Sequence, residues 1–284
     1  MHVAALVAHN LRVQARLFRS LALLALCSSG CVGRAYFTDG TSVSLGGPTR
    51  GVLRGGVALP TAGAGFVVPP LWIARGHLYG TEELVASIVD AAGRVATLHP
   101  GAVLGIGDLS RRGGGTMPFH KSHESGRDVD LIFYAVDDAG APLPPVDTMP
   151  RYDRRLRSRP PYDGAAVPIS PRHFDVRRNW SLVKALLQDP RIDVQYLFIA
   201  EKLKRHLMDH AVRQGEPEEL LHRAEALLRQ PARALPHDDH LHLRIRCSPG
   251  DRAQGCVDEG RVRLRRELIR RPVARLGWSA GALA

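Results

Sequence analysis

Aromatic residues are scarce in this chain: three tryptophans, six tyrosines and seven phenylalanines, 6% of 284 residues. Proteins that stack on nucleic-acid bases interleave aromatics with basic residues. No such patch and no recognisable nucleic-acid motif is present, so nucleic acid is not the expected partner despite a formal net charge of +11. Cysteine is scarcer still. Of the four, Cys27 and Cys31 fall near the start and Cys247 and Cys256 near the end. No Gly-x-Ser-x-Gly occurs, which disfavours a serine nucleophile. The glycine-rich Arg111-Arg-Gly-Gly-Gly-Thr116 lacks the Lys-Ser/Thr ending of a phosphate-cradling loop. The first 31 residues contain no acid.

That acid-free start has a use. Arg12, Arg16 and Arg19 precede the apolar run Leu21-Ala-Leu-Leu-Ala-Leu26 and then small residues, the layout of a secretory signal over residues 1–31. The run is too short to cross a bilayer by itself. Ser-Ser-Gly-Cys31 partly resembles a bacterial lipid-attachment site, although Ser28 stands where leucine is usual, so a lipidated Cys31 is a second form of the same expectation. Removing the signal takes away three arginines and no acids, which leaves +8 on the mature chain. In the oxidising compartment that export implies, Cys247 and Cys256 read as a disulfide and not as a metal site. The expected organisation is a signal over 1–31, one globular domain over 32–257 and a basic tail over 258–284. With 44% hydrophobic residues the chain can bury a substantial core.

Two segments hold five of the thirteen histidines. His120-Lys-Ser-His-Glu-Ser-Gly-Arg-Asp-Val-Asp130 leads into an apolar strand over 129–134, and His237-Asp-Asp-His240-Leu-His242 leads into the alternating run Leu241 to Arg246. Side chains alternate along a strand. His240, His242 and Arg244 therefore share one face, Leu241, Leu243 and Ile245 the other, and Asp128 shares a face with Asp130. If these strands sit side by side, His123, Asp130 and His242 can converge, and two imidazoles with one carboxylate leave a fourth tetrahedral position open for water on a catalytic zinc.

Elsewhere the pattern is mixed α+β. Loop with short strands occupies about 35–64. Phe66 to Trp72, broken by Pro69 and Pro70, suits an edge or a covering loop. Leu84, Ile88, Ala91, Val95 and Leu98 mark one face of a helix capped by Thr81. Ala102 to Ile106 reads as a buried strand, and Val136 to Pro171 as a proline-rich surface excursion. Asp175 is the expected N-cap of the next helix, and a strand follows over 192–199. Helices over 201–212 and 217–229 come before the last strand, 240–247. The expected fold is a central, mostly antiparallel sheet carrying the zinc site, flanked by helices and long loops.

These residues resemble a known group. Ser122-His123-x-x-Gly126, with Asp130 seven residues after His123, is similar to the first zinc motif of the lysostaphin and D-Ala-D-Ala metallopeptidases, and His240-Leu-His242 to their His-x-His. The closer resemblance is to the penicillin-insensitive murein endopeptidases, which have His-x-x-His-x-His, matched here by His237, His240 and His242. It extends from about Ser42 to Cys256 and takes in Gly107-Asp108, Phe174-Asp175, Asn179-Trp180 and Arg246-Cys247. The resemblance implies Zn²⁺ held by His123, Asp130 and His242, with His120, His237 and His240 around it. His240, on the same strand face as His242, is the expected proton shuttle, His237 supports it, and His120 is a candidate for a second metal or for substrate. Ser122 and Asp128 are candidates to orient the ligands by hydrogen bonds. Glu124 should point to solvent. Arg127 adds charge beside the site and so bears on substrate preference.

The implied activity is hydrolysis of peptidoglycan peptide cross-links of the D-alanyl-meso-diaminopimelate type by metal-activated water, in the periplasm or cell envelope. Two alternatives share the core. One is a D-Ala-D-Ala carboxypeptidase or dipeptidase, which typically carries Glu-x-x-His where this chain has His237 to His240. The other is a non-catalytic, zinc-stabilised cell-wall binding protein of the hedgehog-domain kind.

Overall fold

A computed structural model describes residues 42–162, 171–232 and 234–258. The expected signal, Cys27, Cys31 and most of the expected basic tail lie outside these residues. Among the described residues no helix is long and apolar enough to cross a membrane.

The architecture is α+β. Its main sheet has seven strands in the spatial order Leu228–Arg229, Val194–Phe198, His240–Ile245, Asp128–Ile132, Leu104–Ile106, Phe66–Val67, Ala62–Gly63. Four of the six pairings are antiparallel and two are parallel. The two histidine-bearing segments are neighbours at the centre of the sheet. Their register sets His242 opposite Asp130 and Arg244 opposite Asp128. A slip of one residue would turn each of these side chains to the other face. That other face carries Val129, Leu131, Leu241, Leu243 and Ile245, all at most 2% exposed, and this apolar burial holds the register.

Helix Glu82–Leu98 follows the expected face, with Leu84, Ile88, Ala91 and Val95 buried, but Leu98 is 68% exposed because the helix ends there, past the edge of the core. It packs on helix Val176–Leu187, which packs on helix Glu201–Arg213. The Asp175 carboxylate accepts the Arg178 N–H as an N-cap. Helix Glu218–Leu227 stops two residues short of the expectation, and Leu228–Arg229 pairs instead as an edge strand. The run beginning at Phe66 supplies a short strand near the other edge and then helix Pro70–Arg75.

The stretch after Val136 is more than a surface excursion. Its segments pair in short antiparallel ladders, and Tyr152, 1% exposed, joins Phe133 and Phe174 in a cluster of edge-to-face rings. Burial pushes the Tyr152 hydroxyl up to about 12 and also raises that of Tyr134, just before this stretch.

Cys247 and Cys256 form the expected disulfide, closing a loop nine positions long. A loop of that size contributes about 2–3 kcal/mol by restricting the unfolded chain. The Asp258 side chain, 3% exposed, accepts the Cys247 N–H at 2.8 Å and pairs with Arg127, Arg246 and Arg252.

Candidate metal centre

Five histidines and two aspartates gather where strands Asp128–Ile132 and His240–Ile245 meet the loop over 107–123. Asp130, 2% exposed, is the centre. Its Oδ1 lies 3.1 Å from His242 Nδ1, 3.3 Å from His240 Nε2 and 3.4 Å from His123 Nε2. Its Oδ2 lies 3.7 Å from His120 Nδ1. The ligand atoms of His120, His123 and Asp130 lie within 4.8 Å of one another, as do those of His237, His240 and His242. Contacts of Asp130 with His240 and His242 join the two groups.

Hydrogen bonds on the far side of each ring decide what it presents. His123 Nδ1 is 2.7 Å from the Leu109 carbonyl oxygen and so carries the proton, which leaves the Nε2 lone pair facing Asp130. His242 Nε2 donates to Asp128 Oδ1 at 2.7 Å, leaving the Nδ1 lone pair facing Asp130 Oδ1. Arg244 Nε also donates to Asp128 Oδ1, at 2.6 Å. Two lone pairs and a carboxylate oxygen thus face one another with no hydrogen between them. His123 Nε2 and Asp130 Oδ1 are buried with no hydrogen-bond partner. A buried polar atom left this way costs about 1–3 kcal/mol. A cation among these three atoms removes that cost, and a tetrahedral metal at ordinary ligand distances has donors about 3.3 Å apart, close to the 3.1 and 3.4 Å found. The donor set therefore fits a metal ion.

The turn that delivers His123 is strained. His123 has φ 72°, where L-residues are uncommon, and Gly126 has φ 76°. A Cβ at Gly126 would come within 2.7 Å of the Leu53 side chain, so glycine there answers both to conformation and to space.

Electrostatics separates the remaining histidines. Burial alone would lower His240, but the Asp130 and Asp239 charges outweigh it and carry the ring up to about 9. Its Nδ1 lies 2.8 Å from Asp239 Oδ1. His237 is pushed down to about 3, first by burial and then by the neighbouring His240 and His242, and its Nδ1 has no hydrogen-bond partner. Asp130 is held well below the carboxylate range: burial opposes this, and the neighbouring imidazoles, among them His123 and His240, prevail.

Ser122, one of the expected orienting residues, is half-buried and makes no hydrogen bond to these rings among the described residues. Glu124 turns away from the rings as expected, yet it is half-buried and accepts the Gly51 N–H at 3.3 Å. Arg127 corrects the expectation of charge beside the site. It points to the opposite end of the strand pair and is fully buried, because the residue before Asp128 on a strand must face the other way.

Three residues of the site were not expected. Asp108 Oδ2 accepts from His120 Nε2 at 2.9 Å and from Arg75 Nη1 at 2.8 Å, while Oδ1 lies 3.3 Å from His77 Nδ1. Burial pushes the Asp108 carboxyl up, but the His120 and Arg75 hydrogen bonds hold it below its ordinary value. Asp108 had a signal in the sequence, a lone carboxylate directly after a buried strand and within the resemblance. Arg75 and His77 had none, since they come from a helix end and a loop some thirty positions earlier.

Fold and site together define an α+β protein whose central sheet carries a buried His/Asp group able to hold a metal ion. The family model for penicillin-insensitive murein endopeptidases matches residues 44–263. The chain belongs to that family, which implies murein endopeptidase activity on peptidoglycan. No curated protein matches the chain.

Proposed function

We propose that the chain is an exported zinc endopeptidase that hydrolyses D-alanyl-meso-diaminopimelate cross-links, with zinc on His123, Asp130 and His242. The observation that carries this is the meeting of two imidazole lone pairs and an unpartnered carboxylate oxygen at 3.1 and 3.4 Å. Zinc bound there supplies the positive charge that lowers the pKa of a water and polarises a carbonyl oxygen, and it takes over the Asp130 charge that otherwise keeps His240 protonated.

The chain's own groups do the rest. Asp128 fixes the His242 tautomer, and Arg244 holds Asp128 ionised in a buried place. Asp239 orients His240, whose Nε2 faces the ligand cluster; His240 accepts a proton from the attacking water and delivers it to the leaving amine. His237, kept neutral by burial, hydrogen-bonds the reacting groups through its free nitrogen. His120, oriented by Asp108, faces the substrate. No acylated serine takes part, which accounts for insensitivity to penicillin. The chain is read as a signal over 1–31, a catalytic domain over 32–257 and a basic tail over 258–284, in the periplasm or cell envelope.

Incubating the purified protein with cross-linked peptidoglycan, with and without a chelator, and identifying the fragments by mass spectrometry tests the reading. Monomeric muropeptides should appear only without chelator and recover on zinc addition. Release of terminal D-alanine alone would establish a carboxypeptidase instead, and binding without cleavage a cell-wall binding protein.

A further inference from the structure

The contacts of Asp108 lead out of the metal centre to Arg75, and Arg75 ends at the surface beside an unusual residue. Its side chain is 30% exposed. Nη1 donates to Asp108 Oδ2 at 2.8 Å, while Nε and Nη2 make no hydrogen bond among the described residues. The guanidinium carbon lies 5.8 Å from the Trp72 ring centroid and 5.5 Å from that of Phe119. Phe119 directly precedes His120, is 91% exposed and has φ 67°. A bulky residue in the left-handed region is strained, and an almost wholly exposed ring gives little burial in return. Neutralising Asp108 would need neither this ring nor this backbone. The arrangement instead sets beside two rings, at the surface, a guanidinium that is bonded through Nη1 alone among the described residues.

We propose that Arg75, beside Trp72 and Phe119, is a binding site for a carboxylate of the cross-linked peptide, within about three residues of the scissile amide. The proposal rests on the endopeptidase reading, which supplies the peptide. Carboxylate is the matching chemistry because a planar fork of N–H donors takes two oxygens in parallel, and because Nε and Nη2 of this partly exposed guanidinium are uncommitted among the described residues. The reach follows from the chain of contacts. One carboxylate and one imidazole separate Arg75 from Asp130, a span on the order of three residues of extended peptide. Peptide cross-links formed on α-amino acids carry free carboxylates at that range, so Arg75 would select cross-links whose carboxylates are unmodified.

The test uses two synthetic cross-linked muropeptides, one with free carboxylates and one with carboxamides. Binding to the zinc-loaded protein is measured by calorimetry, apart from turnover. The wild type should prefer the free-carboxylate dimer on the order of tenfold to a hundredfold, the scale of one charge-assisted pair. Arg75→Gln should bind both dimers alike. Arg75→Lys, which keeps the charge and loses the fork, should retain part of the preference, and Phe119→Ala should narrow it severalfold. A merely structural arginine would weaken both dimers equally and leave their ratio unchanged. Equal binding of the two dimers by the wild type overturns the proposal, and so does an undiminished ratio in Arg75→Gln. If the Gln variant fails to fold, an unchanged ratio in both Arg75→Lys and Phe119→Ala overturns it. Preference without any cleavage would sink the endopeptidase reading and leave the carboxylate site standing.

Discussion

Two clusters of buried charge lie at opposite ends of the same strand pair. Around Asp130, several nitrogens and oxygens have no hydrogen-bond partner: His123 Nε2, Asp130 Oδ1, Asp128 Oδ2 and His237 Nδ1. Around Arg127, the guanidinium donates to Ser44 Oγ, the Ile245 and Val257 carbonyls and Asp258 Oδ1, at 2.9 to 3.1 Å. At the heart of each, Asp128, Asp130 and His123 in the one and Arg127 in the other are as buried as the apolar core. They differ in satisfaction. A charge whose bonds are all made within the protein holds the fold. A cluster that leaves lone pairs facing one another is built for something from outside.

The largest expected effect is at the unsatisfied cluster. Asp130→Ala should abolish metal binding, measured by elemental analysis, and lower turnover of cross-linked muropeptides on the order of a thousandfold or more. His240→Ala should keep its zinc and lose about a hundredfold to ten-thousandfold in turnover. Full zinc occupancy in Asp130→Ala, or near-normal turnover in His240→Ala, would break the assignment.

The satisfied cluster should show the converse. Arg127→Ala removes one partner of a buried pair and should cost about 3–5 kcal/mol in urea unfolding, with zinc affinity per folded molecule preserved. Substrate preference should not change, since Arg127 does not face the site.

The smallest effect carries a pH signature. Burial opposes ionisation of Asp258, but the Cys247 N–H and the Arg252 and Arg127 charges prevail and hold its carboxyl below the ordinary value. A depressed folded-state value stabilises above the unfolded value of about 3.9 and is lost as the pH falls through the folded one. Asp258→Asn should therefore be about 1.5–3 kcal/mol less stable than the wild type at pH 7. The two urea curves should converge below pH 4, and a difference that persists there would show that shape and not charge holds this corner.

Much of the unsatisfied cluster was legible in the sequence because a period of two is a local signal. It placed His240, His242 and Arg244 on one face and Asp128 with Asp130 on another before any pairing was known. The pairing itself, His242 opposite Asp130, joins positions more than a hundred residues apart, and strand alternation could give it only on the condition that the two strands lie side by side. Almost nothing of the satisfied cluster was legible. Arg127 read as a charge beside the site because its outlets, Ser44, Ile245, Val257 and Asp258, are as scattered as its burial is complete. Tyr152 was hidden in the same way, inside a proline-rich stretch whose composition reads as surface while its rings pack on Phe133 and Phe174.

The register has a consequence in time. Asp128 waits for His242 and Arg244, 114 and 116 positions later, and Arg127 waits for Asp258, 131 positions later. A chain synthesised from its N-terminus at roughly 5–20 residues per second presents His123 and Asp130 about 6 to 20 seconds before His242 exists. The full ligand set is thus absent from every nascent form shorter than 242 residues.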